Sequence, residues 1–138
     1  YENIIETNKF TINHINPDMV EQSHYTSVKF DNNVSEFQKC RLTAEYLNNF
    51  QAPYVKESYV KVGLDLEDIQ SIESNGCRLI IGRIERIYIP DSAINKNGNI
   101  QLELVNSIGV GGLNTYYSLD KIAKHSYPRI NDRFLKEA

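Results

Sequence analysis

A chain of 138 residues with 15 Lys and Arg against 18 Asp and Glu, a net charge of −3 and a pI near 5.6 is long enough for one domain to bury a core. It clusters no cations for neutralising phosphates, which excludes a surface built for nucleic acid. No apolar run approaches the roughly 20 residues that cross a bilayer and nothing at the start reads as a signal peptide, so the expectation is no membrane and a cytoplasmic protein.

Glu2-Asn3-Ile4-Ile5, broken at Thr7-Asn8, reads as the tail of a helix or a turn. Phe10, Ile12 and His14 alternate with Thr11, Asn13 and Ile15, which predicts a short first strand. Asn16-Pro17-Asp18 starts a helix that should run to about Tyr25. Asn16 can cap it, Pro17 suits the first helical position, and Asp18 and Glu21 suit the positive end of the dipole. From Thr26 to Pro53 the chain is polar, with loops at Asn32-Asn33 and Asn48-Asn49. Two short helices fit there, Ser35 to Cys40 and Thr43 to Leu47, capped by Ser35 and Thr43. An excursion of this length is expected to be a binding loop or an interface arm. Ala52-Pro53-Tyr54-Val55 returns the chain to a sheet.

Ser58 to Pro90 reads as one long β-hairpin folded about Ser74-Asn75-Gly76, because Asn and Gly tolerate the positive φ of a tight turn. Val60, Val62, Leu64 and Leu66 alternate on the first strand; Leu79-Ile80-Ile81, Ile84, Ile87 and Ile89 mark the second, and Pro90 ends it. The alternation slips at Asp68-Ile69 and around Gly82, which predicts bulges that bend the ribbon as in a sheet curling into a barrel. Asn95 to Asn99 is a turn about Gly98, and Ile100, Leu102 and Leu104 predict a short strand. Gly109 to Gly112 is a flexible stretch delivering Asn114-Thr115-Tyr116-Tyr117, and Ser118 or Asp120 should start a last helix through Lys124, ended at Tyr127-Pro128. The sum is a single mainly β, antiparallel, barrel-like domain over residues 1–138, with short peripheral helices and no repeats.

Little in the pattern fixes a chemistry. The glycines at 109 to 112 lack G-x-G-x-x-G spacing and the flanking elements of a dinucleotide site, and serve equally as a bend. Tyr116 and Tyr117 should point to opposite sides, one into core and the other either at the rim or offering a flat face to a ring. His14, His24 and His125 have no metal-ligand spacing, so no metal is expected. His24 ends a helix beside Tyr25, Thr26 and Ser27, where hydroxyls could meet an anion. Glu36 and Glu57 lie beside aromatic residues but form no recognisable acid and base pair. Cys40 and Cys77 lack metal or redox spacing and are read as small buried hydrophobes.

Several blocks in order resemble the flavin reductase-like family of FMN-binding split β-barrels. Asn3-Ile4 with Phe10-Thr11-Ile12-Asn13 resembles its T-x-x-N-I … F-x-x-N segment. Thr26-Ser27, Glu36-Phe37 and Leu42-Thr43 resemble its S-A-x-x … E-F … G-L-T arm, and Ala52-Pro53-Tyr54-Val55-Lys56-Glu57-Ser58 its A-P-x-V-x-E-S strand. Ile80-Ile81-Gly82-Arg83-Ile84 is similar to the hydrophobic-G-x-V strand and Gly111-Gly112-Leu113-Asn114-Thr115-Tyr116 to the G-G-x-x-Y piece. The resemblance spans nearly the whole chain. It implies an antiparallel split β-barrel and a homodimer that holds FMN without a covalent bond near the subunit interface. NADH or NADPH would be the electron donor, stacking on the flavin, which carries the hydride chemistry. By the same resemblance Asn3 lies near the flavin phosphate or ribityl chain, Ser27 on the arm with Thr26 beside it, and Tyr116 or Tyr117 against the ring; no residue of the chain is implied as a catalytic acid or base. The family's residues before T-x-x-N-I, which hold its first barrel strands, have no counterpart ahead of Tyr1. That leaves two other readings: a dimerising β domain without catalysis, and a flavin electron-transfer protein that serves a protein acceptor without using nicotinamide nucleotides.

Overall fold

The computed structural model describes residues 1–130. Short helices α1 (Glu2–Thr7), α2 (Val20–Tyr25) and α3 (Glu36–Lys39) accompany seven strands: β1 (Lys9–Asn13), β2 (Ala44–Glu45), β3 (Tyr54–Val55), β4 (Lys61–Ile72), β5 (Cys77–Tyr88), β6 (Ile108–Gly111) and β7 (Thr115–Ser118). All pairing is antiparallel, in three sheets: β1-β4-β5, β2-β3 and β6-β7. The mainly β reading with short helices therefore holds.

The long hairpin forms as its alternation requires, and Gly76 takes φ +69 at the turn. Both expected slips fall on one bulge, where Glu67 stands unpaired between the Leu66–Gly82 and Asp68–Ile81 pairs. A second bulge leaves Glu85 unpaired between Gly63–Arg86 and Leu64–Ile84. A charged residue there left no mark on the apolar pattern. The core lies on both faces of β4's first half, because Val60 and Gly63 point to opposite sides. Val60 packs with Ala93, Val105 and Ile89; over Gly63 lie Phe50, Ala52 and Tyr54, flanked by Leu47 and Tyr88.

Four expectations are corrected. Residues 43–47 are not a helix: Ala44–Glu45 pairs with Tyr54–Val55, and the Thr43 N–H donates to the Glu57 carboxylate. Five residues are too few to repay helix nucleation against such pairing. Ile100 makes only an isolated bridge to Ile94, after which Leu102–Val105 coils into a 3-10 turn that buries Val105. Ser118 ends β7 and no helix follows through Lys124. Ile122 there is 98% exposed, so a helix would have no surface on which to bury an apolar face. Cys40 is buried as expected, whereas Cys77 is exposed, because it opens β5 at the turn end of the hairpin, away from both clusters.

Candidate functional site

Asn16 fixes the start of the region around α2. Its Oδ1 accepts from the Asp18 N–H at 3.0 Å and its Nδ2 donates to the Glu57 carbonyl at 2.8 Å, with the side chain buried. A 3-10 turn at Pro17–Met19 then leads into α2, and Met19 anchors it below. The far end is closed by hydroxyls. Thr26 Oγ1 donates to the Ser23 carbonyl at 2.7 Å and Ser27 Oγ to the His24 carbonyl at 2.8 Å. The N–H groups of Thr26 and Ser27 are also bonded to α2 carbonyls. Both residues therefore keep acceptor lone pairs but have committed their donors.

The β6-β7 hairpin docks along this region, from the residues before Asn16 to the end of α2. Ile108 N–H donates to the Ile15 carbonyl at 3.0 Å, and His14 Nδ1 lies 3.2 Å from Ser107 Oγ. Burial holds the His14 imidazole below its ordinary pKa. Tyr116 reaches α2, its hydroxyl 3.0 Å from His24 Nδ1 and its ring edge-on to the imidazole. Tyr117, on the other side of β7, lies against Gly111, where a Cβ would stand 2.8 Å from its ring, and remains 57% exposed. The two tyrosines take opposite sides as expected, but Tyr116 is half-buried against His24 rather than in the core.

The structure thus gathers Thr26, Ser27 and Tyr116, with His24, at the end of α2. Asn3 sits on α1, ahead of β1, whereas α2 follows β1's other end. The Asn3 carbonyl accepts from Thr7 Oγ1, and its side-chain amide is exposed.

Beside α2 runs a groove. One cavity of about 480 Å³ lies among Tyr25, Val28, Phe30, Lys39, Cys40 and Arg41, with Glu21 and Gln22 on the helix side. A smaller one of about 290 Å³ adjoins it through Gln22 and Arg41 and extends to Leu42, Glu57 and Tyr59. Burial pushes the Glu57 carboxyl up, but its bonds from Thr43 outweigh this and hold it below the usual carboxylate range. Sequence reading missed Tyr25 and Arg41 as lining residues. The two share one groove only because α2 and the chain after α3 lie together, which no local pattern encodes. Among the described residues no group of three or more His, Cys, Asp or Glu is placed to hold a metal ion.

Comparison with known proteins gives this geometry its context. The model of the flavin reductase like domain matches residues 1–106. An uncharacterized protein of Aquifex aeolicus (strain VF5) is 28% identical over 112 residues, which cover 80% of this chain and 56% of that protein. A split barrel protein of Shewanella frigidimarina NCIMB 400, assigned as a flavin reductase, superposes with a TM-score of 0.88 at 41% identity, over 92% of this chain and 64% of that one. Component B of nitrilotriacetate monooxygenase from Bacillus cereus superposes with a TM-score of 0.76 at 25% identity, over 90% and 63%. The chain therefore spans between half and two thirds of the length of these relatives. With a family match over most of its residues, on a mainly β antiparallel fold, the chain belongs to the flavin reductase like domain family.

Proposed function

We propose that the chain binds FMN and takes part in flavin reduction by NADH or NADPH, as a single split-barrel domain in a cytoplasmic homodimer. The observation that carries this reading is the family match over residues 1–106. The residues present suit the group chemically. The exposed Tyr117 ring offers a face to a planar ring system, and Tyr116 sits beside it on β7. Asn3 has a free amide that can donate to a phosphate or a ribityl oxygen. Thr26 and Ser27 can accept from ribityl hydroxyls, since their own protons are committed to α2. When bound, the flavin supplies the hydride chemistry; these five residues would bind and orient it. The homodimer would place this cleft near the subunit interface.

The test is an absorption spectrum of the purified chain after incubation with FMN and removal of free flavin. Retained bands are expected, weakened at least tenfold in occupancy by Tyr117→Ala. Adding NADH or NADPH without oxygen should then bleach the band near 450 nm, roughly where oxidised flavins absorb. A chain that returns colourless overturns the flavin assignment. A coloured chain that neither nucleotide bleaches overturns the reductase assignment alone.

A further inference from the structure

We propose that Arg41 is the anion-recognising residue of the groove along α2, and that this groove takes a planar aromatic carboxylate. Among the described residues five that are not glycine have positive φ: Asn8, Asn48, Asn49, Asn106 and Arg41. Asparagine tolerates that conformation because its short polar side chain bonds locally. Arginine has no such compensation, yet Arg41 is held at φ +57. It also stands before Leu42-Thr43, where the family pattern G-L-T has the residue that takes this conformation without cost. Backbone strain that the surroundings maintain is a pointer to function.

The strain is not repaid within the fold. Among the described residues the Arg41 guanidinium has no ion pair and no ring partner. Glu57, which lines the smaller cavity with Arg41, accepts from the Thr43 N–H, 3.1 Å from each of its oxygens. In the larger cavity Lys39 and Arg41 face one carboxylate, Glu21, so that part of the groove carries a net positive charge. Arg41 lines both adjoining cavities, so it stands where they meet. Its planar fork matches a carboxylate with two parallel N–H···O bonds, where an ammonium offers a point charge.

The rest of the groove selects for a ring. Tyr25, Val28 and Phe30 line the larger cavity and Cys40 lies buried in it. A volume of about 480 Å³ falls within the size of small-molecule sites. Tyr25 and Phe30 can cover an aromatic face while Arg41 takes the acid group. None of Asn3, Thr26, Ser27, Tyr116 and Tyr117 lines either cavity, so the inference does not rest on the proposed flavin contacts.

Calorimetric titration of the purified chain with 2-naphthoate tests the inference, with 2-naphthalenemethanol as the uncharged analogue. Saturable binding of the acid is expected, with the alcohol at least tenfold weaker. Arg41→Gly should weaken the acid at least tenfold while leaving the melting temperature unchanged or higher, because glycine suits the backbone there. Arg41→Asn, matching the other four positions, serves if the glycine variant does not fold. Absence of saturable binding at millimolar acid, equal binding of the alcohol, or undiminished binding by both variants would each overturn the proposal. So would displacement of the acid by FMN, which would make the groove the flavin's own. A chain that fails to retain FMN but binds naphthoate through Arg41 sinks the flavin reading and leaves this one standing.

Discussion

Tyr54 shows how tightly single residues are set in this core. It is fully buried, its ring packs on Phe50 and Tyr88, and its hydroxyl has no hydrogen-bond partner among the described residues. An unpaired buried hydroxyl costs free energy that a phenyl ring would not. Tyr54→Phe is therefore expected to raise stability by about 1 kcal/mol, read as a higher urea midpoint at unchanged slope; a loss would mean that the hydroxyl is bonded. Gly63 lies directly against that hydroxyl, and a Cβ there would be 2.2 Å from it. Gly63→Ala should cost about 1–3 kcal/mol by overpacking. Combined with Tyr54→Phe it should cost less than the two effects summed, since the groups are in contact. His14 adds a pH dependence. Its folded pKa lies below the usual 6.5, from burial, so the unfolded chain binds more protons below neutrality. The stabilisation from its neutral form is present above pH 6.5 and is lost as the pH falls from there toward the folded value. His14→Asn should flatten the decline in melting temperature between about pH 7.5 and 5. An unchanged decline would show that His14 does not cause it, since Asp65, which its bond to Lys9 holds below the usual range, gives up its stabilisation only at more acid pH.

At the scale of elements, β1 is tied to the hairpin by a side chain crossing β4. Phe10 pairs with Leu64 on β4 and reaches over to Gly82 on β5, where a Cβ would stand 2.5 Å from its ring. Gly82→Val should displace Phe10 and cost about 1–3 kcal/mol. Amide exchange would rise first in β1, the edge strand, rather than uniformly; uniform loosening would show that Phe10 is not the tie. The same elements show what the sequence could convey. The β4-β5 hairpin was legible because twelve-residue strands repeat a period of two and Asn75-Gly76 marks the turn. The start of α2 was legible because Asn16, Pro17 and Asp18 are local signals, and Asn16 does accept from Asp18. Residues 43–47 and 100–104 misled because their outcome depends on distant partners, Tyr54–Val55 for one and Ala93 with Val60 for the other. At the site, Tyr116 and His24 each stood out by local pattern, but their contact spans 92 positions and nothing local foretells it. Arg41 drew no notice because a positive φ at arginine contradicts every propensity that sequence reading relies on.

For the whole molecule the telling feature is one face of the β1-β4-β5 sheet. Ile12, Val62 and Ile87 stand in a row across the three strands, and Ile84 stands beside them opposite Leu64. Ile12, Ile84 and Ile87 are 50%, 57% and 48% exposed, although the alternation that places them there is the same one that buries Val60 and Leu64. A contiguous patch of β-branched side chains on an open sheet is an association surface, because leaving it in water forgoes about 25 cal/mol for each Å² that could be covered. In the proposed homodimer this face is the natural candidate for the contact between copies. Ile87→Lys tests the idea without threatening the fold, since a half-exposed position changes monomer stability by only about 0.5 kcal/mol, whereas a buried charge in the contact would be costly. Light scattering across a hundredfold range of protein concentration should show the parent chain gaining mass and the variant remaining monomeric. Equal masses throughout would exclude this face from the contact between copies.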